Sequence, residues 1–572
     1  MTTTVQGCDG AAKSAKSLCG YDRRAIEIPR GVADNAVTVN NVDLIVRMLR
    51  DAGARHAFGI PSGNVIPLLD ALRRGGIEFV LTAHEGSAAF AADVTGRLTG
   101  APGVCLGTMG PGATNLATGV GCASLDRSPL VAITCNVPTH QLGRRVQMVI
   151  DHHALFKPIT KATCPLRTGR VATTLADLIG VALSEPHGPV HLDLPEDVSL
   201  AASTEEPIAA VEPRRRDPAP EADVERLGEL LKQARRPLAV IGASARRMNR
   251  PERLRAFIER HGIPFASTTM AKGMIDEDHP LSIGCIERAK RQVQRKFLRS
   301  SDLIVGLGYD VVEVEYEQWI GTVPLASVDI ERVDADATVK IAHEVIGDLD
   351  ASLERMLRLA PGRYEWAADA ARKQKDAFQA ALRPKGGNGF TPHEAIDVAR
   401  AVLPPEGILA FDVGAHTHQI ASQWTSHAPG DFLITNGWSS MGFGIPAAIA
   451  AKLARPDLPV LCIVGDGCFQ MTCGEVAVAQ RLGLSLPILV LDDGWLTLIE
   501  LKQMKRKLPV YGTDVTRGDR RDAPAHYFGA PAVTVRGARE LERELKKAFR
   551  ASGPTVIEAV VDRTTYSETV YD

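Results

Sequence analysis

The stretch Val460-Leu461-Cys462-Ile463-Val464-Gly465-Asp466-Gly467 (VLCIVGDG) runs from an unbroken apolar segment straight into an aspartate flanked by glycines. An apolar run this short, closed by glycine, reads as a strand buried on both faces, the kind that parallel sheets contain. The pattern recurs in Pro487-Ile488-Leu489-Val490-Leu491-Asp492-Asp493-Gly494-Trp495, which puts Asp493 27 residues after Asp466. In an open parallel sheet, ligands gather beyond the carboxyl ends of the strands. Two aspartates at two such ends, with glycines beside the first, suit a divalent cation that takes hard oxygen ligands and shares them with phosphate. GDG alone reads equally as a tight turn, and Asp492-Asp493 as the start of a polar loop. The pair, each behind a buried strand, favours the ligand site.

Outward from this pair, helix and strand alternate along the chain. Residues 42–51 carry an amphipathic helical pattern, 56–59 a strand, 65–74 a helix and 79–82 a strand. Such alternation builds parallel sheets with crossover helices. The stretch 205–220 (EEPIAAVEPRRRDPAP) has no apolar periodicity and reads as an exposed linker. Strands ending in glycine follow at 237–242 and 301–308, a second break falls at 382–389 (LRPKGGNG), and strands resume at 407–413 and 460–465. The expected fold class is α/β, with three doubly wound parallel-sheet domains. Their expected bounds are 37–204, 223–360 and 389–572, joined by linkers 205–222 and 361–388 and preceded by a flexible tail, 1–36.

Composition narrows the function. A chain of 572 residues exceeds what one hydrophobic core supports, and 45% apolar with 23% charged residues is the balance of a globular protein. A net charge of −2 creates no field that would draw it to nucleic acid or to an anionic membrane. The apolar runs are far shorter than the roughly 20 residues of a membrane span. Small molecules or copies of the same chain are the expected partners, with no nucleic acid and no membrane. The ten cysteines are irregularly spaced and form no CxxC pair, which fits a reducing, cytoplasmic setting. Cys462, Cys468 and Cys473 read as small buried residues beside a strand end. The tail lacks the apolar stretch of a secretory signal, and its Ala, Ser, Gly and Lys content leaves an organelle-targeting role open.

Near the other end of the chain, Leu81-Thr82-Ala83-His84-Glu85-Gly86-Ser87-Ala88-Ala89-Phe90 reads as a strand that ends at His84-Glu85 and turns into a helix of small residues. Standing alone, Glu85 is a helix-start residue near the positive end of the macrodipole. Gly107-Thr108-Met109-Gly110-Pro111-Gly112-Ala113-Thr114-Asn115 is a glycine-rich strand-to-helix turn whose free amides suit a ligand. Its GxxGxG order differs from the dinucleotide fingerprint GxGxxG.

GDG followed by an Asn or Asp pair, together with the upstream segment 436–450 (NGWSSMGFGIPAAIA), resembles the signature of thiamine diphosphate-dependent enzymes. The likeness extends over nearly the whole chain beyond the tail and is strongest to acetolactate synthases of the catabolic, flavin-free type. It implies three domains of the pyruvate oxidase/decarboxylase type: pyrimidine-binding, central and diphosphate-binding. It implies thiamine diphosphate and Mg2+ as cofactors, with Asp466, Asp493 and the carbonyl of Trp495 as metal ligands. Cofactor contacts are implied at Gly414, Ala415, His416, Met441, Gly465, Asp466, Gly467, Asp493, Trp495, Leu496 and Leu498. Met441 would sit beneath the cofactor and press its two rings together.

Glu85 is then the carboxylic acid that hydrogen-bonds the cofactor's pyrimidine N1′ and so makes the cofactor's own amino group basic. Gln147, in the segment that continues into 151–156 (DHHALF) and 158–161 (PITK), is implied near the reacting carbon. That segment carries one residue more than the family's. Asn64 stands where the catabolic enzymes carry a lysine. The flavin-contacting Gly-Met-His-Gly stretch has no counterpart after Gly284-Cys285-Ile286, which argues against bound FAD. The implied assembly is a homodimer or homotetramer with active sites between subunits.

The activity so implied is decarboxylation of a 2-oxo acid, pyruvate foremost, with transfer of the two-carbon unit to a second 2-oxo acid. Alternatives are a plain 2-oxo acid decarboxylase or a carboligase using glyoxylate, sulfoacetaldehyde or an amine. From other classes come a non-catalytic scaffold, which has no use for Glu85, Asp466 and Asp493 together, and a dehydrogenase, which lacks its fingerprint.

Overall fold

The computed structural model describes residues 39–209, 216–387, 389–516 and 522–570. The expectation of a flexible tail over 1–36 lies outside the described residues.

Three six- or seven-stranded sheets carry the chain. The first comprises β1 (His56–Gly59), β2 (Glu78–Leu81), β3 (Gly103–Thr108), β4 (Leu130–Asn136), β5 (Ala162–Pro165) and β6 (Pro189–Pro195), in the order β2-β1-β3-β4-β6-β5. The second comprises β7 (Pro237–Ile241), β8 (Phe265–Ser267), β9 (Ser282–Cys285), β10 (Leu303–Leu307), β11 (Leu325–Asp329) and β12 (Ile341–Ile346), in the order β12-β11-β10-β7-β8-β9. The third comprises β13 (Ile408–Phe411), β14 (Phe432–Leu433), β15 (Val460–Gly465), β16 (Pro487–Asp492), β17 (His526–Tyr527), β18 (Ala530–Val535) and β19 (Thr555–Val560), in the order β14-β13-β15-β16-β19-β18-β17. All the ladders are parallel except the short β17–β18 pair. Every residue of β3, β4, β6 and β15 is buried, as strands covered by helices on both faces must be.

The first and third units share one hydrophobic core. The helices Glu85–Thr99 and Gly444–Ala454 are rich in Ala and Gly and are buried over most of their lengths, so their backbones approach closely. Phe90 meets Phe443 edge-on at 5.6 Å between ring centres. Beside them the buried Arg97 guanidinium bonds Asp93 at 2.5 Å and Asp126 at 2.7 Å and donates to the Ile434 carbonyl at 2.6 Å. Asp126 in turn accepts the Gly437 amide at 2.8 Å, which ties the first unit to the segment that enters the third unit's turn.

One segment departs from expectation. Residues 361–388, read as a linker, contain the helix Ala370–Leu382, whose Phe378 and Leu382 bury themselves with Ala289 of the central unit. Its apolar stripe is diluted by Arg372, Lys373, Lys375 and Asp376, so helical periodicity is faint in the sequence. The helix Glu221–Gln233 likewise starts within the last residues of the first expected linker. Among the described residues, no helix is long and apolar enough to cross a membrane.

Candidate active site

In the third sheet β13 leads outward to β14 while β15 lies on its other side, so the carboxyl ends of β13 and β15 flank a switch point. That is the crevice where open α/β sheets bind ligands. From β13 the chain passes Asp412-Val413-Gly414 into the helix Ala415–Gln423, and from β15 it passes directly into Asp466.

Asp466 is 6% exposed. Its Oδ1 accepts the Gly467 amide at 2.8 Å and its Oδ2 the Gly494 amide at 2.7 Å. Asp493 accepts the Trp495 amide at 2.9 Å and the Thr497 hydroxyl at 2.8 Å. Burial, reinforced by the charges of Asp493 and Asp492, pushes the Asp466 carboxyl well above its usual range. Burial likewise raises Asp493, against the hydrogen bond from Thr497. A bound cation relieves this strain directly, because it attracts both carboxylates.

The rest of the crevice leaves room for a ligand. His416 bonds the Asp412 backbone through one ring nitrogen and is buried with no partner for its Nε2; burial pushes its pKa down to about 4, so a neutral ring lines the crevice with an unused acceptor nitrogen. A buried polar atom without a partner is costly unless a ligand supplies one. A Cβ on Gly467 would come within 2.7 Å of Leu496 Cδ2 and 3.4 Å of Met441 Cε, so any larger residue there makes these side chains shift away from the backbone. The paired aspartates and the open backbone at Gly467 therefore fit a metal-chelated diphosphate.

Gly414, Ala415, His416, Met441, Gly465, Asp466, Gly467, Asp493, Trp495, Leu496 and Leu498 all line one cavity of about 430 Å³. Glu85 and Gln147 do not line it. Glu85 opens the helix Glu85–Thr99, is 8% exposed, and accepts a hydrogen bond from Asn115 Nδ2 at 3.0 Å. Its neighbour His84 caps the helix by accepting the Gly86 amide at 2.9 Å. Gln147 stands exposed in a turn beside Met148.

Several residues of the crevice escaped the sequence reading. The fully buried Asp412 accepts the amides of Val413, Gly442 and Gly444 at 2.7, 3.0 and 2.9 Å and so pins the turn that presents Met441. Its position after a buried strand, like that of Asp466, was the available signal. Glu287, Glu313 and Trp319 of the central unit form the far wall. Burial opposes ionisation of Glu287, but His418 at 3.0 Å and Thr269 at 2.8 Å prevail and bring it down to about 2. Burial takes Glu313 up to about 8 despite donors from Thr268 and Met270. Glu475, buried in the third unit, accepts the Ala83 amide at 3.0 Å and so braces the start of the Glu85 helix. No local motif marks Glu287, Glu313, Glu475 and Trp319, because their place depends on packing between units.

Three segments match the three domains of one family: residues 39–155 the thiamine pyrophosphate enzyme N-terminal TPP binding domain, 224–356 the central domain and 412–559 the C-terminal TPP binding domain. With three parallel α/β sheets and this crevice in the third, the chain belongs to the thiamine pyrophosphate enzymes. Within that class it is similar to acetolactate synthases. It is 30% identical to the acetolactate synthase isozyme 1 large subunit of Escherichia coli (strain K12), over 93% of this chain and 96% of that protein. It is 30% identical to the acetolactate synthase large subunit of Parasynechococcus marenigrum (strain WH8102), over 92% and 88%. With the acetolactate synthase of Bacillus subtilis (strain 168) it shares 27% over 92% and 94%.

Proposed function

We propose that the protein is a carboligase of the acetolactate synthase type, which decarboxylates a 2-oxo acid, pyruvate foremost, and joins the two-carbon unit to a second 2-oxo acid. One observation carries this reading: a buried and a half-buried aspartate with raised pKa values, a neutral histidine whose Nε2 has no partner and the close-set turn at Gly467 converge in one cavity at the switch point of the third sheet. The likeness to acetolactate synthases supplies the substrate class.

In this reading Asp466, Asp493 and the Trp495 carbonyl hold Mg2+. Gly414, Ala415, His416, Gly465 and Gly467 hold the diphosphate, while Met441, Leu496 and Leu498 form the apolar bed. Thiamine diphosphate, when bound, supplies the carbon nucleophile and the electron sink that decarboxylation needs. Glu85 would hold a hydrogen bond to the pyrimidine nitrogen, and Gln147 would donate toward the substrate. Met441, Leu496 and Leu498 would help keep water and stray protons from the reacting carbon, as carbon–carbon bonding requires.

Glu85 stands outside the cavity of its own chain, and Ile66, Leu81, Trp438 and Met471 expose large apolar side chains. Both facts support a homodimer or homotetramer in which each site combines a first unit and a third unit from different chains. The reading includes no FAD and a cytoplasmic setting. Incubating the pure protein with pyruvate, thiamine diphosphate and Mg2+ tests it. Acetolactate is the expected product; acetaldehyde alone, or no turnover, removes the carboligase reading.

A further inference from the structure

Behind the turn 107–112 lies a buried polar chain that the proposed reaction does not use. Asp193, His152, His191 and Thr134 are each at most 3% exposed. The Gly110 amide donates to His152 Nε2 at 3.2 Å. An amide can only donate, so this nitrogen is unprotonated and the neutral ring carries its hydrogen on Nδ1. That N–H points at Asp193 Oδ1, 2.9 Å away. The Thr134 hydroxyl also donates to Asp193 Oδ1 at 2.9 Å, and Asn136 Nδ2 donates to both oxygens at 3.1 and 3.0 Å. Thr134 is then left to accept from His191 Nε2 at 2.8 Å, and His191 Nδ1 to accept from the Thr163 hydroxyl at 2.7 Å. One amide that can only donate and one ionised carboxylate together set the donor directions along the chain. Burial opposes that charge, yet the bonds from His152 and Asn136 hold the Asp193 pKa below its usual range.

The end of this chain is the informative part. Gly110 sits at φ +61°, where an added Cβ would lie 2.5 Å from the Met148 carbonyl oxygen, so the turn is pressed against the residue that follows Gln147. The helix Pro111–Leu125 starts at the next residue and carries Asn115, which holds Glu85 at 3.0 Å. We propose that His152 is a positioning residue: oriented by Asp193, it clamps the Gly110 turn and so keeps Glu85 and the Gln147 loop in register with each other. The consequence for catalysis rests on the roles proposed above for Glu85 and Gln147; the clamp itself does not.

The test separates the two. In the full-length, cofactor-free protein, 15N NMR of labelled histidines should find His152 neutral with its hydrogen on Nδ1; a hydrogen on Nε2 overturns the proposal without any variant. Hydrogen exchange read by mass spectrometry should then show that His152→Leu speeds exchange of the amides at 108–114 by about tenfold, the order expected for one lost hydrogen bond. Amides of β4 and β6 should hold their rates, and His152→Gln, which restores an acceptor near the Nε2 position, should restore the turn. Unchanged exchange at the turn, or uniform loosening of the whole first unit, overturns the clamp. With pyruvate as substrate, His152→Leu should raise KM and the acetaldehyde share of product together, with recovery in His152→Gln. If exchange and tautomer behave as expected while the wild-type protein forms no product, the clamp stands and the proposed reaction falls.

Discussion

Asp466 Oδ2 accepts the amide of Gly494 at 2.7 Å, so the carboxylate that ends one central strand is bonded to the turn that follows Asp493 on the next. The two aspartates are therefore held together by backbone before any cation arrives. Their mutual repulsion is built into the fold, and binding releases it.

Asp466→Ala should fold and still lose Mg2+-dependent binding of thiamine diphosphate by more than about 100-fold, since removing even an outer partner of a metal ligand costs 10–100-fold. Quenching of Trp495 fluorescence during Mg2+ titration reads this. Wild-type-like affinity in the variant sinks the metal assignment.

The pH dependence follows from sign. Asp466 and Asp493 have folded pKa values above their unfolded ones, so at these two sites the metal-free folded chain binds more protons than the unfolded chain. The pair's contribution to stability is therefore greatest at low pH and declines as pH rises above about 4, through the raised values. Mg2+ needs deprotonated oxygens, so its affinity should move the opposite way, strengthening by up to about tenfold per pH unit for one released proton. Calorimetric titration at several pH values checks the slope; a flat profile contradicts it.

His416→Phe removes the unpartnered Nε2 together with the ring's hydrogen bond to the Asp412 backbone. Relief of a buried polar atom without a partner, about 1–3 kcal/mol, is offset by about 1 kcal/mol for the lost bond, so the cofactor-free variant should melt close to the wild-type temperature. Its affinity for thiamine diphosphate should fall. Unchanged affinity removes His416 from the cofactor's contacts.

Glu85→Gln should keep the fold and the cofactor while turnover falls by about 10²–10⁴-fold, the range for a lost acid–base group. Binding and rate measured on the same preparation decide it. A near-normal rate dismisses Glu85 as the acid.

Arg97→Met leaves Asp93 and Asp126 buried without their cation and should destabilise the seam by about 3–5 kcal/mol. Urea unfolding, with midpoint and slope compared to wild type, measures this. A loss below 1 kcal/mol, on the order of a surface pair, shows that the seam does not depend on the ion pair.

By itself, the sequence determined the local chemistry and the class of fold. Apolar runs at 460–464 and 487–491, each short, rich in Val, Ile and Leu and closed by an acid, read as buried strands, and their strand ends locate the cavity that Gly414 to Leu498 line. These signals are local: they depend on a few neighbouring residues and survive without knowledge of the rest. Tertiary structure alone decided what Asp412, Glu287, Glu313, Glu475 and the His152–Asp193 pair do. Each acts through partners distant in the chain, up to almost four hundred positions away, as with Glu475 on Ala83, 392 residues apart. It also decided that the helix Ala370–Leu382 packs where a linker was expected, since Ala289 and Val293 across the gap turn its sparse Phe378 and Leu382 into a buried face. Spacing along a chain encodes strand ends and turns; which side chains meet across domains depends on how sheets and helices pack.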